Sequence, residues 1–374
     1  MAEDLLKLGI VCYPTVGGSG VIATEVARYA ATKGHEVHLL SYDRPARLGN
    51  GLPGLHYHNV QVSAYPLFRY PPYDLALATR MLEVQQEHDI DLFHVHYALP
   101  HAVSAYLARQ MAKGGLRFIT TLHGTDITIV GAEQSYQQPT VFAINESNAV
   151  TAVSEFLARE TCEVFDIDQT IHVVPNFVDT QRYQPGKAGR WYERGDETRV
   201  VVHVSNFRPV KRVANVVRAF GHISQKVPAR LLLVGDGPDR EHALAVATDL
   251  GCRDRVEHLG NIEATEEILV GADLFLMASE TESFGLSILE AMSCGVPCVS
   301  TDVGGVRELM GETGALTKLG HTKDMGEAAL SFLTSDKKHR EECLAARARA
   351  IEHFDEASVV TRYFEIYRMV LADG

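Results

Sequence analysis

The chain has 374 residues, of which 46% are hydrophobic and 22% are charged, a balance typical of a globular enzyme with two or three domains. Its formal net charge of -13 argues against a nucleic-acid-binding protein, which usually presents a basic surface. No apolar run reaches the length of a membrane span, and the amino terminus lacks the basic head of a signal peptide. The composition therefore predicts a cytoplasmic protein that binds neither nucleic acid nor membranes.

The cysteines do not form a recognisable metal site. Cys294 and Cys298 form a C-x3-C pair, but no second pair and no nearby histidine completes a zinc site. We therefore expect reduced, buried thiols and no metal or other cofactor.

The first half alternates predicted strands and helices around a glycine-rich loop. A buried strand over 8–13 is followed by the run 17–20 and by a helix that ends near Gly34. Glycines let backbone N–H groups approach a ligand closely, but the spacing fits neither a dinucleotide fold nor a P-loop. Further strands are predicted at 36–41, 92–95, 118–122, 149–153 and 171–174, and helices near 75–87, 139–147 and 155–165, with another ending near 113.

Polar side chains follow three of these predicted strands. Ser19 follows the first strand, Tyr97 follows the strand at 92–95, and His123 follows the strand at 118–122. In open α/β sheets ligands bind at the carboxyl ends of the strands, so these side chains should line one crevice. The aromatic cluster at 65–73, which lies beside prolines, is interpreted as packing.

A second α/β domain is predicted after a polar linker over 181–197. The loop after its first strand carries Arg208, Lys211 and Arg212, three cations that can neutralise a diphosphate; the alternative is a solvated charge cluster. Its strands are predicted at 200–204, 231–234, 255–259, 274–277 and 297–300, and its last helices near 325–334, 338–353 and 356–371.

The stretch 280–290 reads ETESFGLSILE and predicts a loop followed by a helix that starts near Ser287. Backbone N–H groups at a helix amino terminus favour oxygen-rich ligands. Glu282 before the helix and Glu290 in its first turn would then accept bonds from hydroxyl groups on two parts of one ligand. The alternative is that Glu282 is solvated and Glu290 only complements the helix dipole.

The E-x7-E pattern with S-F-G inside it resembles the signature of retaining, nucleotide-sugar-dependent glycosyltransferases of family 4. This resemblance implies the α/β fold called GT-B, with two Rossmann-like domains whose parallel sheets face a central cleft. It assigns 1–169 to an acceptor-side domain and 170–355 to a nucleotide-sugar-binding domain, with the helix 356–374 packing back on the first. Other stretches resemble the branch that begins bacillithiol biosynthesis by transferring N-acetylglucosamine from UDP-N-acetylglucosamine to L-malate: 12–20, 68–75, 94–102, 120–128 and 203–212.

Residue by residue, the resemblance implies roles at both substrates. Arg208 and Lys211 would hold the UDP diphosphate, Glu290 the ribose and Glu282 a sugar hydroxyl, and His123 would contact the sugar. The implied catalytic residues are Lys211, Arg208, Glu282 and His123. The implied donor-binding residues are Gly18, Ser19, Gly20, Ser205, Asn206, Asn261, Phe284, Gly285, Leu286 and Glu290, and the acceptor-binding residues are Ser19, Tyr97, Thr121 and His123.

One departure from the family concerns the acceptor. The family usually carries a basic residue close to position 141, where this chain has Val141. A malate dianion needs cations or several donors to offset its desolvation, so another group supplies that charge or the acceptor differs.

The alternatives left open are a transferase with another small acceptor such as a cyclitol phosphate, a UDP-N-acetylglucosamine epimerase, and a non-catalytic nucleotide-sugar binder. The reaction is expected to need no metal, because no acidic pair resembles the metal-binding motif of metal-dependent transferases. The sequence does not determine the oligomeric state, and a homo-oligomer is one of the possibilities.

Overall fold

The computed structural model describes residues 5–15, 17–130, 133–186 and 198–372. The chain divides into two compact units, one formed by residues 1–175 with 357–374 and the other by residues 176–356. Residues 187–197 of the expected linker lie outside the described residues.

The first unit is built on a parallel sheet in the strand order β3-β2-β1-β4-β5-β6-β7. Because the order reverses between β1 and β4, the crevice that such folds use for ligands lies beyond the carboxyl ends of these two strands. The strands are β1 (Lys7–Val11), β2 (Glu36–Ser41), β3 (Leu55–Asn59), β4 (Leu92–His96), β5 (Phe118–Leu122), β6 (Ala149–Ala152) and β7 (Ile171–Val173).

Helices cover this sheet with apolar stripes. Leu77 and Met81 of the second helix pack in one core with Phe93 and Phe118 of the sheet, as the helical period of apolar residues requires. The helices are α1 (Gly18–Thr32), α2 (Tyr73–His88), α3 (Val103–Met111), α4 (Gln134–Asn145) and α5 (Glu155–Val164), and irregular helical turns occupy Ala98–Ala102 and Asp126–Val130.

The second unit repeats the same plan with the parallel strand order β10-β9-β8-β11-β12-β13. Its order reverses between β8 and β11, which places its ligand crevice beyond these two strands. The strands are β8 (Arg199–Val204), β9 (Ala229–Val234), β10 (Val256–Gly260), β11 (Leu274–Met277), β12 (Cys298–Thr301) and β13 (Ala315–Thr317).

In the sequence, apolar residues recur at the helical period behind the cationic loop and predict a helix there. Its stripe of Val213, Val216, Phe220 and Ile223 lies in the core, as the sequence predicts. The helices are α6 (Val213–Ser224), α7 (Arg240–Asp249), α8 (Glu266–Leu269), α9 (Leu286–Ser293), α10 (Val306–Met310), α11 (Thr322–Leu333) and α12 (Asp336–Phe354).

The carboxyl-terminal helix α13 (Glu356–Ala372) belongs almost wholly to the first unit. The Tyr367 hydroxyl lies 2.7 Å from Nδ1 of His94, and the ring of Phe364 stacks on His35. The unit boundary falls after residue 175, because β7 pairs with β6. Residues 170–175 therefore lie in the first unit. The sequence analysis assigns them to the second.

Two further expectations from sequence were only partly correct. In the aromatic cluster, Tyr65, Phe68 and Tyr70 are 53%, 51% and 74% exposed, although the rings of Tyr65 and Phe68 contact each other and Tyr73 packs edge-on against Tyr42. The thiols are all free, but Cys162 is exposed. The segment 43–72, for which the sequence predicts only loop, also contains the edge strand β3, whose mostly polar and half-exposed residues give no strand signal.

None of the described helices combines the length and the apolar character needed to cross a membrane.

We expect Tyr367→Ala to lower the free energy of unfolding by about 3–5 kcal/mol, because it leaves a cavity in the core. Met369→Ala on the same helix is the matched control, since that side chain is 40% exposed. Urea denaturation of both variants measures the difference. Equal losses would contradict the burial of this helix face.

Candidate functional site

Two loops meet beyond the carboxyl ends of β8 and β11. The amide of Glu280 donates to the carbonyl of Val210 at 2.8 Å, and the Arg212 guanidinium bonds the Glu280 carboxylate at 2.6 and 3.0 Å. Arg212 is thus paired within the loops and is not a free cation for a diphosphate, in contrast to the sequence interpretation.

The other two cations of this loop differ from each other. Nζ of Lys211 pairs with Oε1 of Glu282, and the same oxygen accepts a bond from Oγ of Ser279 at 2.9 Å. The Lys211 and Glu282 side chains are only 20% and 11% exposed, so the alternative of a solvated Glu282 is wrong. Arg208 is exposed and forms no ion pair with any residue that the structure describes.

Glu290 is a buried carboxylate, 4% exposed. The sequence analysis places Glu290 in the first turn of the helix. In the structure it is the fifth residue of α9 and therefore lies beyond that turn. The Thr265 hydroxyl approaches its Oε2 at 3.5 Å. The simple helix-dipole alternative fails, because the dipole acts on groups in the first turn.

The amino terminus of α9 presents backbone amides. Gly285 adopts a left-handed conformation with φ +102, and its carbonyl accepts the first helical bonds, from Ile288 and Leu289 at 2.9 and 3.1 Å. The amides from Phe284 to Ser287 precede that ladder, so they are available to an acceptor. The Phe284 side chain is buried against Phe354, so only its backbone can serve a ligand.

A glycine pair that the sequence analysis gave no role holds Glu282 in place. The amide of Gly305 donates to the carbonyl of Glu282 at 2.9 Å. A Cβ on Gly304 would lie 1.9 Å from that carbonyl oxygen, so no other residue fits there. The signal was the glycine pair in the loop that follows β12.

The remaining predicted donor residues of this unit lie in three different settings. The Ser205 hydroxyl donates to Nε2 of His203 at 2.8 Å, because Nδ1 of that ring donates to a carbonyl. Asn206 is exposed and accepts from the amide of Arg208 at 3.4 Å. Asn261 is exposed after the edge strand β10, which β9 separates from β8.

In the first unit, the predicted polar groups lie together beyond neighbouring strands. The Ser19 and Tyr97 hydroxyls are 3.3 Å apart, and Tyr97 also contacts the Thr125 hydroxyl at 2.9 Å. The Tyr97 and His123 ring centroids are 5.4 Å apart.

The glycines at the start of α1 lie in a tight turn of the chain, and their predicted approach to a ligand stays a prediction. A Cβ on Gly20 would lie 2.6 Å from the carbonyl oxygens of Tyr13 and Thr15. Gly18 and Ser19 begin the helix, and its first bond runs from the Val21 amide to Gly17 at 3.2 Å.

A column of histidines lies behind His123, and sequence reasoning missed it. Nδ1 of His96 lies 2.8 Å from Nε2 of His123, and the His94 and His96 rings stack. Burial lowers the pKa of His94 and of His123 to about 3, and it holds the pKa of His96 well below its ordinary value. His123 is therefore a neutral hydrogen-bonding group at pH 7. The signal was the H-V-H alternation, which puts both strand histidines on one face.

Thr121 does not reach the surface at the strand ends. Its side chain is fully buried, and its hydroxyl bonds His94 and the Thr151 hydroxyl, each at 2.6 Å. The expectation that Thr121 touches the acceptor is therefore corrected: its hydroxyl is held inside the sheet by His94 and Thr151.

Asp126 ties together the turns that follow β4 and β5. Its carboxylate accepts backbone N–H bonds from His123, Gly124 and Ala98 at 3.1, 2.8 and 3.3 Å. Burial nevertheless raises the pKa of Asp126 to about 6.

Val141 lies at a cavity whose described lining residues include no compensating cation. The residue lines a cavity of about 390 Å³ with Gln137, Asn145, Asp166 and Asp168. No lysine or arginine stands among the described lining residues.

Comparison with known proteins gives the family. Residues 16–182 match Glycosyltransferase Family 4, and residues 198–335 match the Glycosyl transferases group 1. An N-acetyl-alpha-D-glucosaminyl L-malate synthase from Bacillus anthracis is 44% identical over 373 residues, which cover 98% of each chain. The chain belongs to glycosyltransferase family 4.

Solved structures share the fold of this family 4 glycosyltransferase. A glycosyltransferase from Rickettsia africae superposes with a TM-score of 0.81 at 21% identity over all of both chains. Sucrose-phosphate synthase from Thermosynechococcus elongatus does so with 0.82 at 19% identity, over 99% of this chain and 100% of that one. The α/β architecture with two Rossmann-like units, the GT-B class, is confirmed.

Acid should destabilise this glycosyltransferase through its buried histidines. Nδ1 of His101 donates to the carbonyl of His96, and burial lowers the pKa of His101 to about 4. The unfolded chain binds this proton near pH ~6.5, so the stabilisation is present above that pH and declines toward pH 4. Each such group contributes a slope of about 1.4 kcal/mol per pH unit.

His101→Asn keeps a donor for that carbonyl but removes the titrating ring. We expect the unfolding free energy of this variant to fall less steeply on acidification, by about 1.4 kcal/mol per pH unit. Urea denaturation at a series of pH values measures the slope. A slope equal to that of the parent would refute the assignment.

Proposed function

We propose that this family 4 enzyme is a retaining transferase that moves N-acetylglucosamine from UDP-N-acetylglucosamine to the hydroxyl of L-malate. This would be the cytoplasmic reaction that begins bacillithiol biosynthesis. The observation that carries the proposal is the 44% identity to the Bacillus anthracis synthase over 98% of both chains. The charges of the β8 and β11 loops support a nucleotide-sugar donor.

The donor diphosphate is bound by Arg208 and Lys211. Arg208 is exposed and makes no ion pair within the described residues, so its guanidinium can engage a phosphate without losing a partner. The ion pair with Glu282 holds Lys211 in place before the donor binds. The phosphate can then pair with an ammonium group that is already positioned. Glu282 in turn accepts a bond from a sugar hydroxyl.

The rest of the donor is held by a buried carboxylate and by amides. Glu290, a carboxylate that is only 4% exposed, accepts bonds from the ribose hydroxyls. The amides of Phe284, Gly285 and Leu286 donate to the sugar and the β-phosphate, as a helix amino terminus favours.

The acceptor is bound by neutral donors. Nε2 of His96 has no hydrogen-bond partner among the described residues. An unpaired buried N–H is rarer than an unpaired acceptor, so the proton sits on Nδ1 of His96 and points at Nε2 of His123. The free Nδ1–H of His123 can then donate to a substrate oxygen.

The malate carboxylates need a positive potential that Val141 does not supply. Ser19 and Tyr97 offer hydroxyl groups, and the amides of Gly18, Ser19 and Gly20 lie at the start of the 15-residue helix α1. A helix amino terminus carries a partial positive charge of roughly half an elementary unit. It therefore takes over part of the role of the basic residue that relatives carry near position 141.

Transfer proceeds as a front-face substitution. The bond from the anomeric carbon to the diphosphate oxygen breaks, and the malate hydroxyl oxygen bonds that carbon on the same face. The hydroxyl proton passes to the leaving diphosphate, so the products are UDP and the α-glycoside. Lys211 and Arg208 stabilise the leaving charge, and positioning with electrostatics supplies the catalysis without a metal ion.

Lys211→Met should reduce kcat/KM by about 100- to 1000-fold, the usual loss when a donor to a developing charge is removed. Arg212→Met is the matched control: this cation lies in the same loop but is exposed and paired with Glu280, so we expect less than a threefold change. Steady-state kinetics and melting temperatures separate catalysis from folding. Near-normal turnover of Lys211→Met would eliminate its proposed role.

The reaction itself is tested by UDP release from UDP-N-acetylglucosamine in the presence of a chelator. We expect release only with L-malate and none with succinate, because succinate keeps both carboxylates but lacks the attacking hydroxyl. Equal release without any acceptor would instead indicate hydrolysis or epimerisation. Tight UDP binding without release would reject L-malate and direct the search to other small acceptors.

A further inference from the structure

A cluster of histidines lies on one face of the first sheet, near its edge. His38 of β2 pairs in register with His56 of β3, and Leu40 pairs with His58. Alternate residues of a strand point to the same face, so the three imidazoles share one side of the sheet. His88, the last residue of α2, closes the cluster with its ring centroid 4.2 Å from that of His38.

Three of these rings converge closely. Nδ1 of His38 lies 2.8 Å from Nε2 of His58, and one ring nitrogen from each of His38, His58 and His88 lies within 4.8 Å of the others. Tetrahedral zinc binds imidazole nitrogen at about 2.0–2.1 Å, which sets the nitrogens about 3.3 Å apart. Small side-chain movements therefore suffice to admit an ion.

The hydrogen bonding of His38 fits a metal ligand. Its Nε2 lies 3.0 Å from Oε1 of Glu36, and a carboxylate at that position accepts an N–H. The Nδ1 lone pair of His38 then faces His58 and His88. A carboxylate that orients a ligating histidine in this way is a regular feature of zinc sites. His38 is buried, whereas His58 and His88 are partly exposed, so an ion can enter from solvent.

We propose that His38, His58 and His88 form a site for a divalent transition-metal ion of the zinc type, with a water molecule as fourth ligand. Imidazole nitrogens favour zinc and its neighbours over magnesium or calcium. The ligands belong to β2, β3 and α2, so the ion would fasten the edge of the sheet to a helix. This site is separate from the proposed catalytic residues, and transfer itself remains metal-independent.

Arg80 competes with the ion. Its Nη2 donates to Nδ1 of His58 at 2.9 Å, which places the His58 proton on Nε2, facing His38. Metal binding moves that proton to Nδ1, and the guanidinium must then turn away. Its Nη1 already contacts the Glu83 carboxylate at 2.8 Å, so Arg80 has a partner to turn to.

A second set, Glu36 with His38 and His56, also lies within ligand distance. His56 is exposed, and the Glu36 side chain is 38% exposed, so this set is more open to water. It would also use Nε2 of His38 and lose the orienting role of Glu36. The three-histidine set is therefore the one proposed.

The test uses the full-length, tag-free protein after chelator treatment, with Zn²⁺ or Co²⁺ as the probe. We expect one equivalent of ion by equilibrium dialysis, a tetrahedral Co²⁺ absorption band, and a melting temperature raised by about 5 °C at saturating Zn²⁺. His88→Asn should abolish all three signals. His56→Asn is the matched control and should retain them.

Arg80→Met should tighten Zn²⁺ binding by about 3- to 10-fold, because it removes a cation next to a ligand. Circular dichroism of each variant verifies the fold, and His56 and His88 are both solvent-accessible, so neither substitution opens a core cavity. The proposal is overturned if the parent protein binds no ion at micromolar concentrations. It is equally overturned if His56→Asn abolishes binding while His88→Asn retains it, which would assign the ion to the other set.

Discussion

Each half of this glycosyltransferase depends on one constraint: the strands of its sheet are parallel, so the loops that follow them all begin at the same edge of the sheet. Neighbouring strands are about 4.8 Å apart, so the loops that leave them begin close together. Where the strand order reverses, at β1 and β4 in one sheet and at β8 and β11 in the other, no crossover helix fills the space between them. Ser19 meets Tyr97 at the first of these points, and Lys211 meets Glu282 at the second.

The two sheets present different chemistry at these points. The second sheet uses ions: Lys211 and Glu282 offset each other before substrate arrives, and Arg212 with Glu280 holds the loop in place. The first sheet uses neutral groups, because burial keeps the histidine column uncharged. Charged loops suit a diphosphate, which must be stabilised as it leaves. Neutral donors suit an acceptor hydroxyl, which must be oriented rather than ionised.

The histidines of the first unit serve two separate regions. Those behind His123 form a column that runs through His96 and His94 to Tyr367 of the carboxyl-terminal helix. The final helix of the chain is therefore tied to the column by a buried hydrogen bond to His94, and His94 contacts the His96–His123 pair by ring stacking. The cluster around His38 instead lies where the outermost strands meet α2, and it concerns the stability of that edge.

The sequence alone determined the fold class and the family, because both are written in local patterns. A short buried run marked β5, the helical period marked the apolar stripe of α6, and the E-x7-E pattern carried the resemblance to glycosyltransferases. Only the tertiary structure decided that Arg212 pairs with Glu280, that the Thr121 hydroxyl is buried, and that Glu290 lies inside the protein. These facts depend on which side chains from distant segments meet once strand register is set. A linear pattern carries no information on such meetings, because burial and pairing are properties of the packed chain.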